Sequence, residues 1–173
     1  MAEIRRIRVE EARAVRELVR EAVAEAAERY PEERIGISER GLANLETQFR
    51  LGAVHEDEVT LVAVEEDEQI VGFVTAWVSR GRATPGVAGE LERLWVRPAS
   101  RNGRLGRRLA EAAVEWLRQR GARAIFRHED ARHPEREPWE SLGFEADVIR
   151  FSLYGERWRG QTPDTARLDM SGV

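Results

Sequence analysis

One stretch of the chain, from Leu91 to Gly121, limits the folds open to it more than any other. Residues 91–96 interleave apolar and aromatic side chains with charged ones, which is typical of a strand, and Pro98 then breaks the pattern. Apolar side chains return at the three- and four-residue spacing of a helix, at Leu105, Leu109, Ala112, Ala113, Trp116 and Leu117. The stretch therefore predicts a strand, a loop and a helix in direct succession.

The predicted loop contains two glycines, Gly103 and Gly106, among several arginines. The first N–H groups of a helix have no partner inside the helix and lie at the positive end of its dipole. Because glycine lets the backbone come close to a ligand, this loop is suited to hold a phosphate or a pyrophosphate. An ordinary strand-to-helix connection with a solvated basic face explains the spacing equally well, so the motif alone does not decide between the two.

Composition excludes several classes of protein. A chain of 173 residues is long enough for one domain with a substantial core, and its net charge of −4 argues against a general nucleic-acid binder. The chain has no cysteine, which excludes disulfides, thiolate metal ligands and a cysteine nucleophile. It has no run of about 18 apolar residues that would span a membrane, and residues 1–5 lack the apolar segment of a signal peptide. We therefore expect a cytoplasmic protein without a membrane partner.

Periodicity along the rest of the chain predicts one domain of mixed structure. Predicted strands cover residues 4–9, 59–65, 70–78, 90–96, 122–127 and 147–154, and predicted helices cover residues 10–29, a segment capped by Ser38, a segment ending at Gly121, and residues 134–142. This order, β-α-α-β-β-β-α-β-α-β, indicates the α/β fold class, with one mixed sheet and helices on both of its faces. We expect the domain to span residues 1–154 and residues 155–173 to form a polar tail.

The element order and two motifs resemble the GNAT superfamily of N-acetyltransferases over residues 4–154. The stronger motif is the segment between Leu91 and Gly121, and the second is Trp139–Phe144, which is similar to the family's Tyr-x-x-Leu-Gly-Phe segment. The resemblance implies a mostly antiparallel mixed sheet in which a bulged strand splays from the next one. It also implies that acetyl-CoA lies in the splay with its pyrophosphate on backbone N–H groups of the loop. An acceptor amine would then attack the thioester directly.

Residues expected to bind acetyl-CoA are carried over from the family motif position by position. Arg101 matches the first position of the loop motif and Gly106 the last, with the usual apolar residue, Leu105, before it. Arg104 stands where the family has its middle glycine, and Gly103 lies one position early. Backbone N–H donation does not require glycine while φ is negative, so the loop is kept as a pyrophosphate site. The expected cofactor-binding set is Leu94, Trp95, Val96, Arg101, Asn102, Gly103, Arg104, Leu105, Gly106 and Arg107.

Two positions are candidates for the chemistry. Glu92 matches a strand position where many family members carry a glutamate, and the resemblance gives its carboxylate the role of general base. Glu90 is expected on the same face from the two-residue period of a strand, and the alternative is that both are solvent-facing charges. Trp139 takes the place of the family tyrosine that protonates the leaving thiolate, and an indole N–H does not give up its proton. His128, after the strand 122–127, is a weaker candidate.

The resemblance implies an acetyl-CoA-dependent N-acetyltransferase that moves an acetyl group to a primary amine by direct attack in a ternary complex, without a metal. A cationic small-molecule amine or a peptide N-terminus is the expected partner, and a homodimer is left open. This preference rests on acidic residues along the first two helices and their connection, namely Glu28, Glu32, Glu33 and Glu39. Two alternatives remain. One is a non-catalytic module that binds acetyl-CoA or CoA, favoured by the departures at Arg104 and Trp139, and the other is a plain interaction protein.

Overall fold

The computed structural model describes residues 2–33, 35–79, 86–101, 104–129 and 136–146. Within these residues, the strands are β1 (Glu3–Arg6), β2 (Glu58–Val64), β3 (Ile70–Ser79), β4 (Val87–Val96) and β5 (Ala122–Arg127). The α-helices are α1 (Ala12–Arg29), α2 (Glu39–Val54), α3 (Leu105–Gln119) and α4 (Arg136–Glu140). The predicted last strand, residues 147–154, and the predicted tail, residues 155–173, lie outside the described residues.

The strands form one sheet in the order β1-β2-β3-β4-β5. Neighbours from β1 to β4 are antiparallel, whereas β4 and β5 run parallel. A parallel pair needs a long crossover connection, which α3 supplies, while the antiparallel strands β2 and β3 are joined by a short turn. The predicted α/β fold with a mixed, mostly antiparallel sheet is therefore confirmed.

Hydrophobic side chains form a separate core on each face of the sheet. On one face, Val15 and Leu18 of α1 and Leu42 and Phe49 of α2 pack with Phe73 of β3, and each is at most 2% exposed. The rings of Phe49 and Phe73 meet edge to face with their centroids 5.7 Å apart. The other face is covered by the apolar side of α3, whose buried residues are Leu105, Leu109, Ala110, Ala113 and Leu117. Each helix thus buries the apolar stripe visible in its sequence.

Both ends of α2 are fixed by small residues. Ser38 caps the helix as predicted, since its hydroxyl accepts a hydrogen bond of 3.1 Å from the N–H of Gly41. At the other end, Gly52 lies against β2, and a Cβ at that position would come within 2.4 Å of the Thr60 hydroxyl. Glycine alone permits this approach. It brings the end of α2 onto the middle of the sheet, beside a cavity described below.

The first strand is shorter than predicted. β1 ends at Arg6 because residues 9–11 form a 3₁₀ turn, so that α1 begins at Ala12 and not at residue 10. Glu11 holds this turn: its carboxylate accepts hydrogen bonds of 2.8 Å from the Arg8 N–H and 2.7 Å from the Arg5 guanidinium. A carboxylate that binds backbone N–H groups favours the start of a helix over the continuation of a strand.

The fourth strand is longer than predicted. It begins at Val87 and not at Glu90, because residues 87–89 pair with β3 on one side and with β5 on the other.

None of the helices in the described ranges has the length and apolar character needed to cross a bilayer.

Candidate active site

The two strands that run parallel, β4 and β5, separate part-way along their length. Pairing between β4 and β5 runs from Val87, opposite Ala122, to Leu91, opposite Arg127, and β5 ends there. The remaining residues of β4, 92–96, keep β3 as a neighbour but have no strand on their other side within the described residues. We call this opening between β4 and β5 the fork.

Backbone groups of β4 point into the fork at every second residue. The N–H of Arg97 donates to the carbonyl of Val71 on β3 at 2.8 Å. In an antiparallel pair, residues whose backbone groups bond to the partner strand alternate with residues whose backbone groups point away from it. Trp95 therefore also bonds to β3, whereas the N–H and C=O groups of Leu94 and Val96 point to the fork. The Val96 carbonyl accepts a hydrogen bond of 2.9 Å from Nε of Arg101. The N–H groups of Leu94 and Val96 therefore face a space that an extended ligand can enter.

A β-bulge in β4 lies at the closed end of the fork. The register with β3 shifts between Thr75, opposite Arg93, and Ala76, opposite Leu91, which leaves Glu92 as the extra residue. The bulge is stabilised by Thr75, which is 9% exposed and whose hydroxyl accepts a hydrogen bond of 3.1 Å from the Arg93 N–H. The bulged strand implied by the family resemblance is therefore present.

Because of the bulge, two consecutive charged residues line the same cavity. Glu92 and Arg93 form an ion pair of 2.5 Å and border a cavity of about 250 Å³ between the end of α2 and the sheet. The side chain of Glu92 is 38% exposed. The other lining residues are Gln48, Phe49, Gly52, Glu58, Val59, Thr60, Thr75, Ala76 and Trp77.

The strand period does not bring Glu90 to this cavity. Glu90 lies opposite Trp77, on the same face of the sheet as Thr75 and Arg93, so the expected shared face is kept. Glu90 nevertheless lies beside His128, with 3.1 Å between its Oε1 and the histidine Nδ1, and it does not line the cavity. Of the two glutamates, only Glu92 combines the bulge with the cavity.

The start of α3 presents free backbone donors near the open end of the fork. The first N–H bonded within the helix is that of Arg108, which donates to the carbonyl of Arg104 at 2.9 Å. No side chain caps the helix, so the N–H groups of Leu105, Gly106 and Arg107 have no capping partner within the described residues. Arg104 has a φ of −138°, a conformation that needs no glycine. Asn102 and Gly103, two of the expected cofactor-binding residues, lie outside the described residues.

Most arginines around the loop are paired with acidic residues, which no sequence motif indicated. Arg97 pairs with Glu21 at 2.6 Å and Arg101 with Glu25 at 2.5 Å, so that α1 holds the loop after β4. Farther along, Arg107 pairs with Glu111 of its own helix at 2.8 Å. The available signal was that Glu21 and Glu25 are four residues apart and so share one face of α1.

Glu25 has the most contacts in this network. Both of its oxygens accept hydrogen bonds from Arg101, and Oε2 also accepts one of 2.9 Å from the indole N–H of Trp95. The hydrogen bond from Arg101, with a further contribution from Trp95, lowers the pKa of Glu25 below its usual value. The sequence-based expectation gave Trp95 and Arg101 to the cofactor, whereas their side chains here join the loop to α1.

We expect Glu25→Gln to lower the free energy of unfolding by at most about 1 kcal/mol at neutral pH, because the pair is partly exposed. Since folding depresses the pKa of Glu25, its ion pair stabilises the protein above the carboxyl's ordinary pKa, about 4.3, and this contribution disappears as the pH falls through the lower, folded-state pKa. Urea unfolding at a series of pH values measures both effects. Glu28→Gln, at an exposed position on the same helix, is the control; an equal loss there would contradict the role of Glu25.

Arg104 differs from its neighbours, because its side chain makes no hydrogen bond or ion pair with any described residue. It lines an open cleft of about 710 Å³ between the start of α3 and the turn after β2, together with Leu105 and Arg108. The acidic turn residues across the cleft are Glu65, Glu66 and Asp67. Arg104 is therefore free to turn its charge toward a ligand at the helix start.

Changing Arg104 to glycine restores the family's usual residue and separates two interpretations of this position. If the guanidinium reaches a phosphate, Arg104→Gly should weaken CoA binding about fivefold, or about 1 kcal/mol, as expected for a charge-assisted hydrogen bond. We expect this outcome, because the Arg104 side chain pairs with no acidic group among the described residues. Isothermal titration calorimetry measures the change, with Arg104→Lys as the charge-conserving control. Tighter binding by the glycine variant would show instead that Arg104 crowds the loop.

The sequence of this chain matches the acetyltransferase (GNAT) family over residues 13–144. The chain belongs to the GNAT acetyltransferase family. Comparison of its sequence with curated proteins gives no match. The bulge, the fork and the uncapped start of α3 all lie inside the matched range.

Solved structures share the fold of this GNAT domain. A tetramutant of the BH1408 protein from Bacillus halodurans has a TM-score of 0.71 at 19% identity, covering 88% of this chain and 99% of that one. Glucosamine-6-phosphate N-acetyltransferase from Arabidopsis thaliana has a TM-score of 0.68 at 17% identity, covering 90% and 99%. An aminoglycoside acetyltransferase from an uncultured soil metagenomic sample, in complex with sisomicin, has a TM-score of 0.64 at 17% identity, covering 88% and 95%.

Trp139, which stands at the position of the family tyrosine, is a core residue of this GNAT domain. It is 8% exposed, belongs to the core on the α3 face, and its ring meets that of Phe144 edge to face at 5.7 Å. In a second contact, the guanidinium carbon of Arg127 lies 5.2 Å from the centroid of the Trp139 ring. The described residues contain no group of three or more His, Asp or Glu side chains arranged to hold a metal ion.

Proposed function

We propose that this protein is an acetyl-CoA-dependent N-acetyltransferase that transfers an acetyl group to a primary amine by direct attack in a ternary complex. The observation that carries the proposal is the arrangement along β4. One edge of the strand, at Leu94 and Val96, is open to an extended ligand, and the bulge beside it turns Glu92 toward a separate cavity. Acetyl-CoA and the acceptor amine would thus reach the same short segment of β4 from different sides.

The open edge and the start of α3 fit the two chemical parts of acetyl-CoA. Backbone N–H groups of Leu94 and Val96 suit the amide-containing pantetheine arm, which can bond to them as a neighbouring strand would. Uncapped N–H groups of Leu105, Gly106 and Arg107 suit the pyrophosphate, as helix starts commonly do. Bound acetyl-CoA supplies the activated acyl group. The protein would orient it and polarise its carbonyl through a backbone donor on β4.

Glu92 is proposed as the general base. A lysine-like amine has a pKa of about 10.4, so only roughly one molecule in a thousand is neutral and nucleophilic at pH 7. A carboxylate that takes a proton from the amine, directly or through one water molecule, therefore raises the rate. Glu92 borders the cavity, lies at the bulge next to the open edge, and is held by Arg93 at 2.5 Å.

The acceptor is proposed to be a small amine. The cavity beside Glu92 measures about 250 Å³, which suits a small molecule or the terminal residue of a peptide. Its lining includes two carboxylates, Glu58 and Glu92, which favour an ammonium-bearing molecule. Glu39, one of the acidic residues expected to attract a cation, pairs with Arg20 at 2.8 Å and contributes less to this preference. The metagenomic relative in complex with the aminoglycoside sisomicin accords with such an acceptor.

The alternative is a non-catalytic module of the same fold that binds acetyl-CoA or CoA. Burial of Trp139 in the core is the observation that favours it, since no proton donor stands at that position. Calorimetry with acetyl-CoA, followed by a thiol-release screen over small amines and peptides, separates the two. Binding with turnover supports the transferase, and tight binding without turnover on any amine supports the module. A homodimer and a cytoplasmic location remain predictions from the sequence.

A further inference from the structure

A charged side chain that no sequence motif indicated occupies the closed end of the fork. Arg127 is the last residue of β5, and its Nη1 donates a hydrogen bond to the backbone carbonyl of Glu92. The same nitrogen lies 3.4 Å from the carbonyl of Leu91. These two carbonyls flank the point where the bulge interrupts β4. The guanidinium is therefore held where the two strands part.

Other contacts fix the plane of this guanidinium. Its Nε donates to Glu129 at 2.8 Å, and its carbon lies 5.2 Å above the ring of Trp139. The Arg127 side chain is only 17% exposed. Its remaining nitrogen, Nη2, donates to no acceptor among the described residues. A planar cation held in this way keeps two N–H donors for a ligand.

The guanidinium shares the fork with a backbone donor. Groups that point to one edge of a strand recur every second residue, so the carbonyl of Glu92 and the N–H of Leu94 are neighbours on the open edge of β4. Arg127 binds the first of these groups. Its charge therefore lies beside the N–H group that is proposed to polarise the acyl carbonyl.

We propose that Arg127 binds the sulfur of CoA as the thiolate and stabilises its negative charge. The reaction then needs no proton donor at the position of Trp139. This inference rests on the proposed function. As the amine nitrogen bonds to the acyl carbon, the C–S bond breaks and leaves its electron pair on sulfur, while Glu92 takes a proton from the amine. Arg127 keeps its own proton and neutralises the sulfur's charge through a charge-assisted hydrogen bond. The thiolate is protonated by water after it leaves the fork.

Comparing CoA with desulfo-CoA, which lacks the thiol, tests this directly without turnover. A cation at the sulfur lowers the pKa of the bound thiol below its ordinary value of about 8.5, so the affinity for CoA should rise with pH while desulfo-CoA provides the reference. In the wild type, calorimetry should show the affinity ratio of CoA to desulfo-CoA rising about tenfold between about pH 7 and about pH 9.5. Phosphate groups titrate equally in both compounds and cancel in the ratio.

Three variants assign the effect to Arg127. Arg127→Gln should make the ratio nearly independent of pH without changing the affinity for desulfo-CoA, and Arg127→Lys should retain part of the rise. Arg120→Gln is the matched control, because the Arg120 guanidinium also lies over a tryptophan, Trp116, at 5.0 Å. Arg120 stands at the C-terminal end of α3, whereas the proposed pyrophosphate site is at its start. It should behave as the wild type.

The other charged groups that face Arg127 do not account for the expected rise. Within the described ranges they are Glu129 after β5, Glu92 and Arg93 on β4, and the Glu90–His128 pair. CoA and desulfo-CoA meet these groups alike, so any contribution from them cancels in the affinity ratio.

A flat ratio in the wild type would overturn the role of Arg127 while leaving CoA binding, and with it the proposed function, intact. An unchanged rise in Arg127→Gln would also overturn it. Failure of both compounds to bind would overturn the proposed function itself. If Arg127→Gln does not fold, the wild-type ratio and the lysine variant still decide the question.

Discussion

Gly106→Glu should weaken the affinity for acetyl-CoA by roughly 100-fold, or about 2.8 kcal/mol. The helix start at Leu105–Arg107 presents N–H donors to the proposed pyrophosphate, and a glutamate there adds bulk and a negative charge at the same place. Because a carboxylate near a helix start favours the helix, the variant should remain folded. The lower affinity would then come from lost ligand contacts and not from unfolding. Calorimetry measures the affinity, and urea unfolding confirms the fold.

Gly106→Ala is the matched control for this substitution. Among the described residues, a Cβ at position 106 would meet only a methyl group of Val96, at 3.9 Å, which is an ordinary contact. Alanine is also preferred over glycine within helices, so this variant should be at least as stable as the wild type and should bind acetyl-CoA. Equal affinity in wild type and Gly106→Glu would remove the start of α3 from the proposed site. Since binding is partly driven by charge, the wild-type affinity should also fall as salt is added.

Glu92→Gln should reduce kcat/KM for the acceptor amine by roughly 100-fold or more, the usual contribution of a general base. The amide has nearly the same shape as the carboxylate but cannot take a proton from the amine. Affinity for acetyl-CoA should not change, because the proposed cofactor contacts come from other residues. The loss should be largest near neutral pH. It should shrink as the pH approaches the acceptor's own pKa, about 10.4 for a lysine-like amine, where the neutral amine no longer needs a base.

The control for Glu92 lies two residues earlier on the same strand. Glu90 is also a glutamate on β4, but it contacts His128 and does not line the cavity. Glu90→Gln should therefore keep the wild-type rate and its pH dependence. Steady-state kinetics across the pH range compare the two variants once an acceptor is known. Equal losses in both, or no loss in Glu92→Gln, would show that the proton leaves by another route.

Local patterns in the sequence predicted most of the elements, because local spacing determines them. The apolar spacing of α3 and the capping residue Ser38 each depend on residues within a few positions of one another, and both predictions were correct. Residues 122–127 were placed as a strand with the observed boundaries. The boundary error at β4 arose because distant strands decide whether residues 87–89 are extended, whereas the error at β1 arose from the turn that Glu11 holds.

The candidate site was only partly accessible to this reasoning, since its decisive contacts join distant parts of the chain. The bulge at Glu92 depends on how β4 pairs with β3 near Thr75, and no residue type in β4 predicts a shift in register. The ion pair between Arg101 and Glu25 spans 76 positions. Arg127 carries no motif, and its place in the fork follows from where the parallel pairing ends.

The alternation along β4 makes it an interior strand on one side and an edge strand on the other, which amide hydrogen exchange can distinguish residue by residue. The N–H of Arg97 is bonded to β3 at 2.8 Å and, with that of Trp95, should exchange slowly. The N–H groups of Leu94 and Val96 face the fork and should exchange with solvent much faster, even though both lie in the middle of the sheet. A ligand that completes the sheet there would slow these two amides and leave their neighbours unchanged.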